Sequence, residues 1–322
     1  MKRIYTVVSI LACLAFYGCD KSEENIEANV INDVLPEFTA STGEGDTKTS
    51  LKGLDVIWSS DDRVAIFNGT TVDKEYKVKD GCSGSTTTTL TPVNQDFTAG
   101  TEGSEMDGNV AVYPYSAVNS CRKTDDGYKL SVNFPSVIRY SPYSFGEGAM
   151  PMVAVTDSKD DYNLSFKNLC GLLKLQLKGD GIKVKSIRVM GHYGETLAGD
   201  IHYNIVKDES ESIFWEGKSE DLIEICFENE MTLTTATDIF IPMLPNSFKC
   251  GLSVFVNTDK GTITKSITAP LTIKRSQIVP MKELNLDYSM IEKSYVTILC
   301  PIAVPYSVSY FPSCGPNISF YS

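Results

Sequence analysis

The sequence predicts an all-β protein: two tandem antiparallel β-sandwiches behind an N-terminal export signal. Three observations carry this expectation. Thr, Val, Ile and Tyr recur in short apolar–polar runs, and turn residues punctuate the chain at short intervals. The stretch Leu169–Met190 then shows the strand period openly. Leu173, Leu175 and Leu177 alternate with Lys174, Gln176 and Lys178, the pattern of a strand with one buried face.

Gly179-Asp180-Gly181 tolerates positive φ and predicts a tight reversal. Ile182 and Val184 restart the alternation, Lys185-Ser186 shifts its phase, and Ile187 and Val189 resume it, which predicts a β-bulge. The two strands are expected to pair as a hairpin whose apolar face needs a second sheet.

Taken in order, the chain of 322 residues has the length of about two domains of ~100–200 residues. Residues 1–18 read as a signal peptide. Lys2-Arg3 is basic, Ile4–Phe16 is mostly apolar, and Gly18 precedes Cys19. The apolar run is shorter than the ~20 residues of a spanning helix. Leu14-Ala15-Phe16-Tyr17-Gly18-Cys19 resembles a bacterial lipobox, with Phe16 and Tyr17 where Leu and a small residue are usual. Cys19 is therefore the expected lipidation site. Stable anchoring takes more than one acyl chain, at ~0.8 kcal/mol per buried methylene. Residues 19–33, opening on the polar Asp20–Asn25, read as a flexible tether. Asp20–Asn25 also resembles a signal that sends lipoproteins to the outer face of the outer membrane.

The first sandwich is expected over residues 34–157. Thr47–Leu51 reads as a strand, and Val56–Phe67 as two strands about the acidic turn Asp61-Asp62, with Trp58 as core anchor. Asn68-Gly69 offers a hairpin turn. Thr86–Thr91 stops at Pro92, Asn109–Tyr115 ends around Pro114, and Asp126-Gly127 is a further turn. The polar Thr156–Asp161 reads as a linker.

The second sandwich is expected over residues 158–288. Its later strands are Ile201–Ile205, Leu222–Phe227, Asp238–Met243, Leu252–Val256, Ile263–Ile267 and Ile273–Met281, with a turn at Asp259-Lys260-Gly261. Pro242 and Pro245 suit an edge strand, because Pro donates nothing to a ladder. Residues 289–322 form a tail. It carries the strand-like Tyr295–Cys300 and is interrupted by Pro301, Pro305, Pro312 and Pro316.

Several chemistries are disfavoured. A net charge of −12 argues against nucleic acid. Beyond Cys13 and Cys19 there are seven Cys residues and no CxxC, so zinc and thioredoxin-like sites are not expected. Cys170 and Cys226 sit in apolar strands and read as buried thiols. His192, in a turn, and His202, beside Ile201, lack a paired catalytic motif. Asp61-Asp62 and Asp160-Asp161 lack calcium-loop spacing, and P-loop, GxSxG and HExxH motifs are absent. No enzyme, cofactor or metal is expected. Tyr113, Tyr115, Tyr140, Tyr143 and Phe145 could line a sugar-binding face, although core and strand edges account for most of them.

Several segments together resemble the fimbrillin family, pilin-like surface lipoproteins of Gram-negative anaerobes. They are Thr49-Ser50-Leu51, Val56-Ile57-Trp58-Ser59, Asp62–Phe67, Ala111–Ser116 and Met150–Ala154. The second half adds Leu164–Leu173, Leu197-Ala198-Gly199 and Ile239–Pro245. The resemblance covers Val34 to Tyr288. It implies two transthyretin-like sandwiches, a type V pilus role and surface exposure on the outer membrane. It also implies donor-strand exchange with other fimbrial subunits after proteolysis at a basic residue. Lys48, Lys52 and Arg63 are the candidate cut sites, and adhesion to host or bacterial surface glycans or proteins is the expected outcome. The alternative is a glycan-binding surface lipoprotein with an aromatic platform, for which Trp58 and Trp215 are the only Trp residues.

Overall fold

The computed structural model describes residues 34–42, 56–95, 104–206 and 212–291, less the side chains of 206 and 212–218. Among these residues the fold is all-β, with no α-helix. The polypeptide begins a barrel with β1 (Phe38–Thr42), β2 (Arg63–Thr70), β3 (Lys74–Val78), β4 (Thr87–Pro92) and β5 (Glu105–Tyr113). It leaves through β6 (Val118–Thr124), β7 (Gly127–Phe134) and β8 (Val137–Arg139). It then returns with β9 (Met152–Val155) and β10 (Asn163–Asn168). The barrel is closed in the order β1-β10-β9-β5-β2-β3-β4. Closure falls to β1, which runs parallel to β10 and antiparallel to β4.

Twelve strands follow. They are β11 (Gly171–Lys178), β12 (Ile182–Gly191), β13 (Ala198–Val206), β14 (Ser212–Glu220), β15 (Leu222–Leu233) and β16 (Thr237–Met243). Then come β17 (Asn246–Phe248), β18 (Leu252–Thr258), β19 (Thr262–Ile267), β20 (Leu271–Ile273), β21 (Ile278–Pro280) and β22 (Leu284–Asn285). One sheet has the order β19-β18-β12-β15-β8, another β14-β13-β7-β6, and a third β16-β11-β21 with β22 also on β11. A short β17-β20 pair completes the set.

Two cores result. The inner one holds Phe38, Ala40, Trp58, Val64, Ile66, Tyr76 and their neighbours inside the barrel. The larger one runs from the outer face of β2, β5 and β9 through β7 and β13 to the sheets of β11 and β12. The unbroken apolar runs Val64–Phe67 and Val110–Tyr113 explain why the wall works from both sides. Val64, Ile66, Ala111 and Tyr113 face inward, while Ala65, Phe67, Val110 and Val112 face the other core. Strands buried on both faces read as continuous rather than alternating apolar segments.

The bulge expected near Lys185 is present, as a register shift between Val184 and Ser186. The Asp126-Gly127 turn joins β6 to β7, and Asp259-Lys260-Gly261 joins β18 to β19. Pro242 lies on β16, an edge strand, as its missing donor requires.

Several readings are corrected. β11 and β12 do not form a hairpin: β11 bonds to β16, β21 and β22, whereas β12 bonds to β15 and β18. Gly181, at φ +68°, carries the chain from one sheet into another, so both strands become sheet interiors. Asn68-Gly69 is a bulge within β2, with Gly69 at φ +63° and a register shift against β5. Val56–Ser59 is irregular rather than a strand. Cys170 is fully buried, but Cys226 is only half-buried. Thr47–Leu51 and Tyr295–Cys300 lie outside the described residues.

The division expected at 157/158 coincides with no break in hydrogen bonding. β10 completes the barrel, while β7 pairs with β13 and β8 with β15. Thr156–Asp161 connects two barrel strands, β9 and β10. Asn109, fully buried on β5, fastens it there. Its Nδ2 donates to the carbonyls of Ser158, Lys159 and Asp161 at 3.4, 3.2 and 2.8 Å.

Candidate functional site

Two features stand out, a strand and a cleft. The strand is β1. Its alternation places Phe38 and Ala40 in the inner core, both fully buried, with Thr39 outside. Phe38 meets Tyr76 and Tyr162 edge-on at 5.4 and 5.5 Å. Five residues thus hold the ladder on two sides and fill the barrel, yet residues 43–55, which follow them, lie outside the described set. Lys48 and Lys52 fall in that stretch. Arg63 opens β2, and its Nη1 donates to the carbonyls of Ser60 and Asp62 at 3.2 and 3.0 Å. Cys19 also lies outside the described residues. The short FTAST pattern was a weak strand signal in the sequence, although its Phe38/Ala40 alternation was there to be read.

The cleft, about 680 Å³, opens where the barrel rim meets the segment that follows β8. The rim contributes Asp62, Arg63, Glu75 and Tyr113; the end of β8 contributes Arg139, and the segment after it Tyr140 and Glu147. At its base the buried Asp62 accepts from the Tyr113 hydroxyl at 2.9 Å and from the Ser59 amide at 2.7 Å. Burial raises the Asp62 carboxyl above its ordinary value. The Ser59 and Tyr113 hydrogen bonds oppose that shift, and the Glu147 and Asp61 charges add to it. The Tyr113 hydroxyl accepts in turn from the Gly148 amide at 3.3 Å, and its pKa is raised by burial and by the Asp62 charge.

Of the five aromatics flagged from sequence, Tyr113, Tyr115 and Tyr140 line this one cleft. Tyr143 is 87% exposed in the adjoining loop, at φ +60°. Phe145 packs against the larger core. Glu75, Arg139 and Glu147 carried no signal in the sequence, because they converge only through the path of β3, β8 and the loop after it.

His192 is exposed but not idle. Its Nδ1 lies 2.7 Å from the Cys250 carbonyl and its Nε2 lies 2.8 Å from Ser253 Oγ. His192 does not line the cleft described above. Among the described residues no group of three or more His, Cys, Asp or Glu is arranged to hold a metal ion. Nor is any helix among them long and apolar enough to cross a membrane.

No protein-family model matches the chain, and no curated protein sequence matches it. Among solved structures it is similar to a candidate cell adhesion protein from Bacteroides ovatus. That pair is 13% identical with a TM-score of 0.45, over 77% of this chain and 91% of the other. A candidate cell adhesion protein from Bacteroides uniformis gives 14% identity and a TM-score of 0.40, over 80% and 96%. The tip fimbrial protein Mfa3 from Porphyromonas gingivalis gives 11% identity and a TM-score of 0.29, over 76% and 94%.

Proposed function

We propose that this chain is a fimbrillin-like cell-surface lipoprotein, a structural or accessory subunit of a fimbria that serves adhesion. The observation that carries the reading is the position of β1. It is short, lies near the start of the described chain, and alone bridges β4 and β10. Cleavage after Lys48 or Lys52 would cut it from the rest of the barrel. The vacated slot would then present two unpaired strand edges and an open core, a template for a strand from the next subunit. Backbone ladder bonds would supply affinity, and the pockets of Phe38 and Ala40 would set register. Arg63 is the poorer site, since its backbone belongs to the β2–β3 ladder. Cys19 would carry the lipid that holds the subunit to the outer face of the outer membrane.

The test uses the full chain treated with an Arg/Lys-specific protease. Mass spectrometry should find β1 released, and denaturant-resistant oligomers should follow. Trimmed protein that stays monomeric would sink the exchange reading. Labelled palmitate should mark the parent protein but not Cys19→Ser.

A further inference from the structure

We infer that the cleft between the barrel rim and the loop after β8 binds a neutral oligosaccharide. Its volume of about 680 Å³ lies within the ~300–1,000 Å³ of small-molecule sites, which favour such seams between packed units. The wall is neither apolar nor of one sign. Asp61, Glu75 and Glu147 face it, and so do Arg63 and Arg139. Sugar hydroxyls both donate and accept, so they can use carboxylates and guanidiniums side by side. Arg63 and Glu75 already pair across the wall at 3.7 Å, so an anionic ligand would meet the charges of Asp61 and Glu147. A cationic peptide would meet the two arginines.

The aromatic part of the wall is held ready. Tyr140 is braced by Phe227, with ring centroids 4.7 Å apart. Tyr115 packs against the larger core. Both rings are half-buried, so each keeps some surface at the cleft. Fixed rings lose little freedom on binding, which favours a weakly polar sugar face laid against them. Beside the cleft, outside its own lining, the same loop carries Tyr143, a bulky side chain held at φ +60° while 87% exposed. That conformation is costly for a bulky residue, and such strain is concentrated at ligand-contacting sites.

This inference does not rest on strand exchange, and the two fail separately: one is read by oligomers, the other by sugar binding to the monomer. The full chain is titrated calorimetrically with three probes: neutral trisaccharides of hexoses, a sialylated trisaccharide, and a Lys/Arg-rich peptide. Saturable millimolar or tighter binding of a neutral trisaccharide is expected. Glu147→Gln and Arg139→Gln, both exposed and both in the cleft wall, should each weaken it roughly tenfold, with unchanged melting curves. Tyr193→Ala, exposed on another loop, should leave it intact. Absence of saturable neutral-sugar binding, binding only of the charged probes, or full binding by both cleft variants would overturn the inference.

Discussion

Tyr113 donates its hydroxyl proton to Asp62 Oδ1 across 2.9 Å, and the carboxylate meets no cation there at comparable range. Burial therefore dominates, and the folded-state pKa of Asp62 lies above its ordinary 3.8. The sign follows. The folded chain holds this proton more tightly than the unfolded one, so the penalty is full at neutral pH. It fades as pH falls through the raised value towards 3.8. Asp238 has the opposite sign. Burial opposes its ionisation, yet hydrogen bonds from Lys174 at 2.8 Å and Gln176 at 2.9 Å outweigh burial and lower its pKa. Its contribution is present above 3.8 and is lost as pH falls through the lowered value. Urea unfolding across pH 3–7 should show Asp62→Asn losing ground to the parent on acidification. Asp238→Asn should instead gain on it below about pH 4.

Asn109 governs the loop between β9 and β10. Its amide fills three carbonyls, and its own backbone N–H donates to Thr156 Oγ1 at 2.9 Å. Asn109→Leu should strand those carbonyls and cost ~1–3 kcal/mol. Limited proteolysis should then cut within 156–161 before any other described loop. A variant as protected as the parent would show that the loop is held by other means.

Gly171 begins β11 where backbone crowds it. A Cβ there would lie 2.1 Å from the Lys274 carbonyl oxygen and 2.9 Å from that of Gln277. Neither obstacle is a flexible side-chain end. Gly171→Ala should cost at least about 2 kcal/mol, read as a fall in the urea midpoint at constant slope. Gly181→Ala, with open space but φ +68°, should cost less, about 1 kcal/mol.

The described cysteines should divide by reactivity. None of the five is in a disulfide. Cys121 is buried and its thiol is pushed up to about 12 by desolvation; Cys170, fully buried, is pushed up further by the same cause. Cys250 is exposed. Iodoacetamide at pH 7.5 should label Cys250 in the folded protein and reach Cys121 and Cys170 only after denaturation. Mass spectrometry of tryptic peptides reads the order.

Much of this fold was legible because local signals agreed with the outcome. Trp58 is the core anchor its surroundings implied, 1% exposed and edge-on to Phe166 at 5.3 Å. The Val184–Ser186 bulge and the two Gly-bearing turns also followed from spacing alone. Partner choice did not. A reversal at Gly179–Gly181 reads the same whether the next strand pairs with the last or crosses to the facing sheet. Only the burial of Leu173–Leu177 and of Ile187–Val189 in separate sheets decides it. The β8 strand of three residues was invisible, because nothing in Val137–Arg139 declares a parallel partner some ninety positions onward at Glu224–Cys226. The cleft suffered the same way: its tyrosines drew notice, its charges did not.

The interleaving of β6, β7, β8 and β10 has a practical consequence for anyone dissecting this molecule. A gene fragment that stops at residue 157 would leave the barrel one stave short and carry away strands that the later sheets need. The reciprocal fragment would start life with β13 and β15 each lacking a neighbour. Recombinant halves should precipitate where the whole span, from β1 to β22, stays in solution.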